Sequence, residues 1–543
     1  MNCKVLAIHG AHDASVTFVD KNNQIRIFEF ERFCGKRYAS FNEDGNGHLI
    51  SEFSNKDNSR SEFLDLIKIN LKCEPEVILY SDLYESDINF MSSYFPKATF
   101  FRMGHHISHC AGAYFQSGFA DALAISLDGG GMDYVSESDL SLITFSVYKF
   151  IDGVGHVIDY YGMSDNGDDQ FNPGAYGFVG RYISEIVGND PLQSAGKIMG
   201  LSAYGKVREE WIDPLKSFYK NAPQDYWGKF YYLTHQLSQK MKLTLDYKVL
   251  SGQDSYDLAA TNQHVFEELC FSFIKKYIDK YEMNVVFSGG CALNVLFNQK
   301  LFKYVRDKGL NLYVPPYPGD NGLSFGHYTS FQNLKCDPGP YCGIDILDRN
   351  KIIDYYSKYN KEGKVKLTTV ETIVDLIKDG KIGGIIQGYS EVGPRALGNR
   401  SIICDPSISD MKNILNSKVK FREWFRPFAP VCREEDREIY FEDAFPSEYM
   451  SFAPKVKESY RNLLPSITHE DGTARLQTVT KQQHELFYDI LTEIRNRDLI
   501  GVIMNTSFNI RGKPILTSID DAFEVLETTE LDFIVVENLL FIK

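Results

Sequence analysis

Short apolar runs that end in glycine or in a polar turn recur along this chain, and they predict an α/β fold. Lys4–His9 and Ser15–Val19 read as strands, and Ile25–Phe30 follows the polar turn Asp20-Lys-Asn-Asn23. Val77–Tyr80 is another strand, Ala122–Leu127 runs straight into Asp128-Gly-Gly-Gly131, and Asn284–Phe287 runs into Ser288-Gly-Gly290. The apolar period predicts helices over Ile107–Ser117 and Gln263–Ile278, and a further helix restarts over Ala292–Lys300. A second α/β unit begins near Glu371 with a helix, a turn at Gly380 and the strand Lys381–Gln387. Later, Gly501–Met504 leads into Asn505-Thr-Ser-Phe-Asn509. Turns at strand ends are where open α/β sheets hold ligands.

Three stretches depart from this pattern. Residues 40–60 are rich in Asn, Asp, Ser and Gly and predict a mobile surface insertion. The run Ile212–Leu245 is dense in Tyr, Trp and Lys and carries no motif. Residues 331–370 change character around Cys336-Asp-Pro-Gly-Pro340. The expected division is therefore a first domain over 1–345, a linker over 346–370 and a second domain over 371–543.

The 543 residues exceed what one core organises, and 43% hydrophobic with 24% charged residues excludes disorder along the whole length. A net charge of −15 argues against broad attachment to nucleic acid or to an anionic membrane. The N-terminus is wrongly flanked for a signal peptide, and no apolar run has membrane-spanning length. Ten cysteines include no CxxC pair, so a reduced, cytoplasmic setting without a zinc cluster or disulfide framework is expected. Against the negative total stands a local group of cations. Arg395 and Arg400 flank Ala-Leu-Gly within Gly388–Ser401, and Lys418, Lys420, Arg422 and Arg426 follow. Guanidinium forks of this kind grip phosphate or carboxylate.

Three of the chain's 12 histidines fall within five positions, in Gly104-His-His-Ile-Ser-His109. On a helix, His105 and His109 are one turn apart and can address one metal, while His106 points elsewhere. Asp320, in a glycine-flanked loop after strand-like Leu312-Tyr-Val314, is the candidate third ligand, although an Asp-Asn-Gly turn needs no metal. Mixed N/O donors suit Fe, Mn or Zn without choosing among them. Gly10–Ser15, Asp128–Gly131 (with Gly129 and Gly130) and Ser288–Gly290 each follow a strand, and their order suggests backbone amides wrapped around phosphates. None is a Walker A motif or a GxGxxG. Lys197, in Gly196-Lys-Ile-Met-Gly200, adds a cation between two of them, its plainer role being a solvent-facing helix residue.

Several motifs in fixed order carry a family resemblance. They are His12-Asp-Ala-Ser15, Glu31-Arg-Phe33, His105–His109, Gly196–Gly200, Ser288-Gly-Gly-Cys-Ala-Leu-Asn294, Gly319-Asp-Asn-Gly322, Gly393-Pro-Arg-Ala-Leu-Gly-Asn-Arg400, Phe425-Arg-Pro-Phe-Ala-Pro430 and Asn505–Asn509. The chain resembles the antibiotic and nodulation-factor O-carbamoyltransferases. The resemblance implies a duplicated actin-like ATPase (ASKHA) type domain, followed by a smaller α/β domain akin to threonylcarbamoyl-adenylate synthases (YrdC-like). It implies that ATP and carbamoyl phosphate form a carbamoyl-adenylate, whose carbamoyl group passes to a hydroxyl of a small-molecule, natural-product-like acceptor.

Carried onto this chain, the metal ligands would be His105, His109 and Asp320, with iron the usual metal and Mg²⁺ accompanying ATP. His12 would lie beside the reacting group, ahead of His106 as the base. Arg395, Arg400, Arg422, Arg426, Asn505 and Asn509 would line the carbamoyl phosphate and adenylation site, with Lys418 and Lys420 as weaker members of that set. Gly129, Gly130, Lys197, Ser288–Gly290 and Asn294 would meet the nucleotide. Lys513 and Cys404 depart from the family pattern near the second site. Rival readings are a threonylcarbamoyl transferase acting on tRNA and a nucleotide-binding scaffold without turnover. The pattern admits a homo-oligomer and gives no role to a membrane or to nucleic acid.

Overall fold

Five strands form the first sheet, the first three buried throughout, as their near-continuous apolar runs require, and the last largely exposed at the edge. In the computed structural model, which describes residues 1–42, 59–134, 140–162, 171–188, 190–220, 237–242 and 250–543, these are β1 (Val5–His9), β2 (Ser15–Val19), β3 (Ile25–Glu29), β4 (Val77–Ser81) and β5 (Thr99–Arg102). Most of the 40–60 insertion, and much of the Ile212–Leu245 run, lies outside the described residues. The sheet order is β3-β2-β1-β4-β5. β1 runs antiparallel to β2 and parallel to β4, β2 antiparallel to β3, and β4 parallel to β5. The helix Leu323–Gln332 packs on β1, β2 and β4.

A second sheet repeats that plan. It contains β6 (Ala122–Tyr134), β7 (Leu140–Ile151), β8 (Val154–Gly162), β9 (Val285–Ser288) and β10 (Leu312–Tyr313) in the order β8-β7-β6-β9-β10. Here too the first three strands are antiparallel neighbours and the last two join in parallel. The helix His105–Ser117 packs on β6, β7 and β9, with Ala111, Tyr114 and Phe115 in the core against Ala124, Phe150 and Val286. The same order and the same directions, used twice, define a duplicated fold of the actin-like ATPase type.

The C-terminal region forms an eight-stranded mixed sheet. Its strands are β11 (Val365–Leu367), β12 (Gly383–Ile386), β13 (Arg400–Cys404), β14 (Ala429–Arg433), β17 (Gln477–Val479), β18 (Val502–Ser507), β19 (Phe533–Val536) and β20 (Leu539–Ile542). Their order is β11-β20-β19-β12-β13-β18-β14-β17, and β15 (Phe441–Glu442) pairs separately with β16 (Lys455–Val456). Both faces are covered. Ile385, Ile403 and Ile503 join one core with Phe487 and Ile490, whereas Ile386, Ile402 and Met504 join another with Phe523. Consecutive residues therefore bury on opposite sides. Residues 346–370, expected to link two domains, are instead folded into this unit. They supply the helix Ile352–Lys361, whose Tyr355 stacks on Phe523 at 3.7 Å, and the edge strand β11, paired with β20.

The chain divides into two compact units. One comprises Met1–Met103, Asp320–Thr468 and Gly472–Lys543, and the other Gly104–Gly319 with His469–Asp471. Among the described residues no helix is long and apolar enough to cross a membrane.

Candidate functional site

In the unit 104–319, the helix His105–Ser117 begins at Gly104, and Asp133 accepts the N–H of Ile107 in its first turn at 3.0 Å. The four-residue spacing brings His105 and His109 onto one face, with their Nε2 atoms 3.2 Å apart. Asp128 places Oδ2 at 3.6 Å from His105 Nε2. One ligand atom from each of these three buried residues lies within 4.8 Å of the others. Two imidazoles bound at 2.0–2.1 Å to one ion at the tetrahedral angle hold their nitrogens roughly 3.3 Å apart. The donor set and its spacing therefore fit a shared divalent cation. Gly131 must be glycine, because a Cβ there would stand 2.1 Å from the His105 ring.

Asp128 also ties together both glycine turns of this unit. Its Oδ1 accepts the N–H of Gly290 at 2.6 Å and its Oδ2 that of Gly130 at 3.2 Å. Gly289, at φ +88°, lies so close to the Leu127 carbonyl that a Cβ would approach its oxygen to 2.2 Å. Gly129 backs onto Gly174, and Ser288 ends β9 with its hydroxyl buried and lacking a hydrogen-bond partner. Gly129, Gly130 and Ser288–Gly290 are thus gathered around one carboxylate. Two other expected contacts have local work. Asn294 caps the helix Val295–Asp307 by accepting from Phe297 N at 3.1 Å and also pairs with Gln263. Lys197 donates to the Val187 carbonyl at 2.8 Å.

His106 differs from its neighbours. Its ring is fully buried, Nε2 donates to the Ile143 carbonyl at 2.8 Å, and Nδ1 lies 3.3 Å from Ser146 Oγ. Burial, then the nearby His105, pushes its pKa down to about 3. A neutral ring locked against β7 is not placed for proton transfer, which corrects the expectation of a catalytic His106.

In the other unit, His12 sits in the β1–β2 turn between two carboxylates. Its Nδ1 is 3.1 Å from Asp13 and its Nε2 3.4 Å from Asp320. His9 Nε2 approaches the same Asp320 oxygen at 3.7 Å. Asp320, one peptide bond beyond Gly319, opens the turn Asp320–Gly322 ahead of the helix Leu323–Gln332.

The arginine-flanked turn Gly388–Ser401 is held from within. Glu391, fully buried, accepts on Oε1 the N–H groups of Leu397 at 2.7 Å, Gly398 at 2.8 Å, Asn399 at 2.8 Å and Arg400 at 3.2 Å. The backbone nest that would cradle an anion is therefore filled by the protein's own carboxylate. Arg400 is fully buried as well. Its guanidinium donates to the carbonyls of Gln387 at 2.6 Å, Gly388 at 2.8 Å and Asn399 at 2.9 Å. It braces the turn and is committed to backbone, so the expected ligand-facing, catalytic Arg400 is corrected to a structural one.

The remaining cations gather elsewhere. Burial, then the Arg426 charge, pushes Arg395 down to about 10. Arg422 is pushed well down by burial and by Arg426, and Arg475 by burial and by Arg395, Arg422 and Arg426. Lys420 is likewise lowered, by burial and then by Arg422, Arg426 and Arg37. Its ammonium donates to the Ser507 carbonyl at 2.6 Å and the Asn509 carbonyl at 2.8 Å, and it also meets the Asn509 side chain. Lys418 is exposed, which corrects its expected place at the site, and the inward cation of the pair is Lys420. Asn505, on β18, donates to the Ala396 carbonyl at 3.0 Å and to Gln477 at 2.8 Å, while its Oδ1 is buried and has no hydrogen-bond partner.

The placement of Asp128 beside His105 and His109, Arg475 and Glu391 escaped the sequence reading. An aspartate placed where an apolar strand meets three glycines was the available signal for the first. Arg475 stands in no motif, and only the fold brings it to the others.

A sequence model of the carbamoyltransferase N-terminus matches residues 86–327, and one of the carbamoyltransferase C-terminus matches residues 374–543. The class is that of a transferase, and the chain belongs to the carbamoyltransferase family. Nodulation protein NolNO of Sinorhizobium fredii is 30% identical over 81% of this chain and 64% of its own length. The uncharacterized protein MJ1051 of Methanocaldococcus jannaschii is 29% identical over 99% of both chains. Among solved structures, full-length HypF in its phosphate- and nucleotide-bound form aligns with 13% identity and a TM-score of 0.34, over 61% of this chain and 55% of that one. The fold assignment rests on strand order rather than on that alignment.

Proposed function

We propose that the chain is an ATP-dependent O-carbamoyltransferase using carbamoyl phosphate as donor and a small-molecule hydroxyl as acceptor. One observation carries this reading. Lys420 is buried and Arg395, Arg422, Arg426 and Arg475 are half-buried, and neighbouring cations of this group lower the proton affinity of Arg395, Lys420, Arg422 and Arg475. Mutually repelling cations partly withdrawn from water are stabilised by a multiply charged anion, and a phosphoryl donor supplies one.

At that cluster the phosphate of carbamoyl phosphate is neutralised and water cleaves the donor to carbamate and phosphate. A carbamate oxygen then attacks the α-phosphorus of ATP, giving carbamoyl-adenylate and expelling pyrophosphate as the Mg²⁺ complex. Positioning and charge neutralisation are the main sources of acceleration. In the transfer step the acceptor oxygen attacks the carbamoyl carbon, and AMP leaves with the electrons of the broken C–O bond. His12, flanked by Asp13 and Asp320, takes the acceptor's proton. His105, His109 and Asp128 would hold the divalent metal, and Fe²⁺ is the proposed ion. When bound, that ion supplies Lewis acidity at the carbamoyl oxygen. The glycine turns Asp128–Gly131 and Ser288–Gly290 are proposed to meet the nucleotide. Residues 1–345 carry transfer and 371–543 activation, and the setting is proposed to be cytoplasmic.

Incubation with ATP, Mg²⁺ and isotopically labelled carbamoyl phosphate tests the reading. Mass spectrometry is expected to find labelled carbamoyl-adenylate and pyrophosphate. Bound ATP without any labelled adenylate would refute it.

A further inference from the structure

Arg395 lies in the β12–β13 connection, between backbone held by two different carboxylates. On its far side the amides of Leu397 through Arg400 are held by Glu391. On its near side, both polar backbone groups of Gly393 are held by side chains more than 360 residues earlier in the chain. Glu29 Oε1 accepts the Gly393 N–H at 3.2 Å, and Arg32 Nη2 donates to the Gly393 carbonyl at 2.5 Å. Gly393 has φ +97°, a conformation that needs external support to stay unique.

Glu29 is built for this task. It is 4% exposed at the end of β3, its Oε2 pairs with Arg32 Nε at 3.2 Å, and its Oε1 also accepts from Asn321 Nδ2 at 3.0 Å. Thr517 Oγ1 donates to the Arg32 carbonyl at 2.8 Å, and the Arg26 guanidinium lies 3.4 Å over the Tyr389 ring. The start of the arginine turn is thereby registered against β3 and the residue after Asp320. The cost of carrying a negative charge in this buried place is evident, since burial raises the Glu29 pKa to about 7. A side chain retained at that cost has work that an apolar residue cannot do.

We propose that Glu29 is a positioning residue for Arg395: by holding Gly393, it sets the course of the backbone so that the Arg395 guanidinium meets the anion bound in the C-terminal cation cluster. The inference rests on the reading of that cluster as an anion site.

Its test exploits a conflict of sign. Removing a carboxylate from the neighbourhood of an anion site tightens anion binding if charge alone matters, whereas loss of positioning weakens it. Calorimetric titration of the full chain with inorganic phosphate, and separately with carbamoyl phosphate, compares Glu29→Gln, Glu29→Asp and Glu29→Ala. The Gln variant keeps an acceptor at the right reach and is expected within about threefold of wild type, whereas Asp keeps the charge but falls one methylene short. Asp and Ala are expected to bind roughly tenfold more weakly, and amide exchange at Gly393, Arg395 and Ala396 is expected to speed up in both. The Asp variant keeps a charge beside buried Arg32, which guards against loss of the fold in Ala. Equal or tighter binding by the Asp variant, at unchanged exchange, overturns the inference alone. Wild-type protein that binds neither phosphate nor carbamoyl phosphate overturns the anion-site reading and the inference with it.

Discussion

Replacing Glu391 tests whether the arginine turn is held by its own carboxylate. One buried oxygen receives four successive N–H groups at 2.7–3.2 Å, and the other is buried with no hydrogen-bond partner. Hydrogen bonds to a charged acceptor contribute about 1.5–3 kcal/mol each, but bonds sharing one oxygen do not add. Glu391→Ala leaves several buried amides without an acceptor and removes the anion nearest in effect to buried Arg400, whose proton affinity Glu391 supports. The cost is then that of breaking a buried charged network, about 3–5 kcal/mol. Glu391→Gln keeps the accepting oxygen but loses the charge, and it sets a new donor where the partnerless oxygen was, at about 2–3 kcal/mol.

Hydrogen exchange reads this directly, because the amides concerned are those of residues 397–400. If the turn opens locally, a loss of about 3 kcal/mol corresponds to roughly 100-fold faster exchange at those four amides. The helix Glu485–Asn496 serves as an internal control and is expected to keep its protection. Chemical denaturation of the same variants separates local from global loss. Protection of 397–400 unchanged within about twofold in Glu391→Ala would refute the reasoning, for the amides would then have other acceptors.

Two further outcomes are expected. His484 is buried, accepts the N–H of Phe487 at 3.1 Å, and has its pKa lowered to about 4 by burial. Its contribution to stability is therefore complete above its unfolded value near 6.5 and is lost as pH falls from there towards 4. Glu29, raised to about 7, behaves oppositely: its contribution is complete below about 4.5 and is lost as pH rises towards 7. Between pH 4.5 and 6.5 the two slopes oppose each other, so Glu29→Gln and His484→Gln are expected to change the pH dependence of unfolding free energy in opposite directions. Each change is about 1.4 kcal/mol per pH unit, and changes of the same sign would refute the assignment. Separately, Lys420→Met is expected to weaken phosphate binding at least roughly tenfold while Lys418→Met stays within about twofold; equal effects would contradict the inward placement of Lys420.

These residues mark where the sequence could be read and where it could not. The strands and glycine turns were legible because burial on both faces leaves unbroken apolar runs, and a glycine must follow where backbone meets backbone, as at Gly289 against Leu127. The pairing of His105 with His109 was legible because helical spacing alone puts them on one face. Spacing is silent about what lies opposite, and so it left the buried His106 looking like a spare base when it was bonded to β7. Charge was the least legible property. Two arginines five residues apart looked equivalent, yet Arg400 braces carbonyls while Arg395 stands among Arg426 and Arg475. Glu391 and Glu29, two acidic residues that a search for anion binders passes over, hold the backbone on either side of Arg395. A turn that carries arginines needs carboxylates to hold its backbone, and such partners are scattered along the chain because only the fold unites them. The same reasoning explains residues 346–370, whose polar composition suggested a linker although Tyr355 and Tyr359 are spent on the core around Phe523.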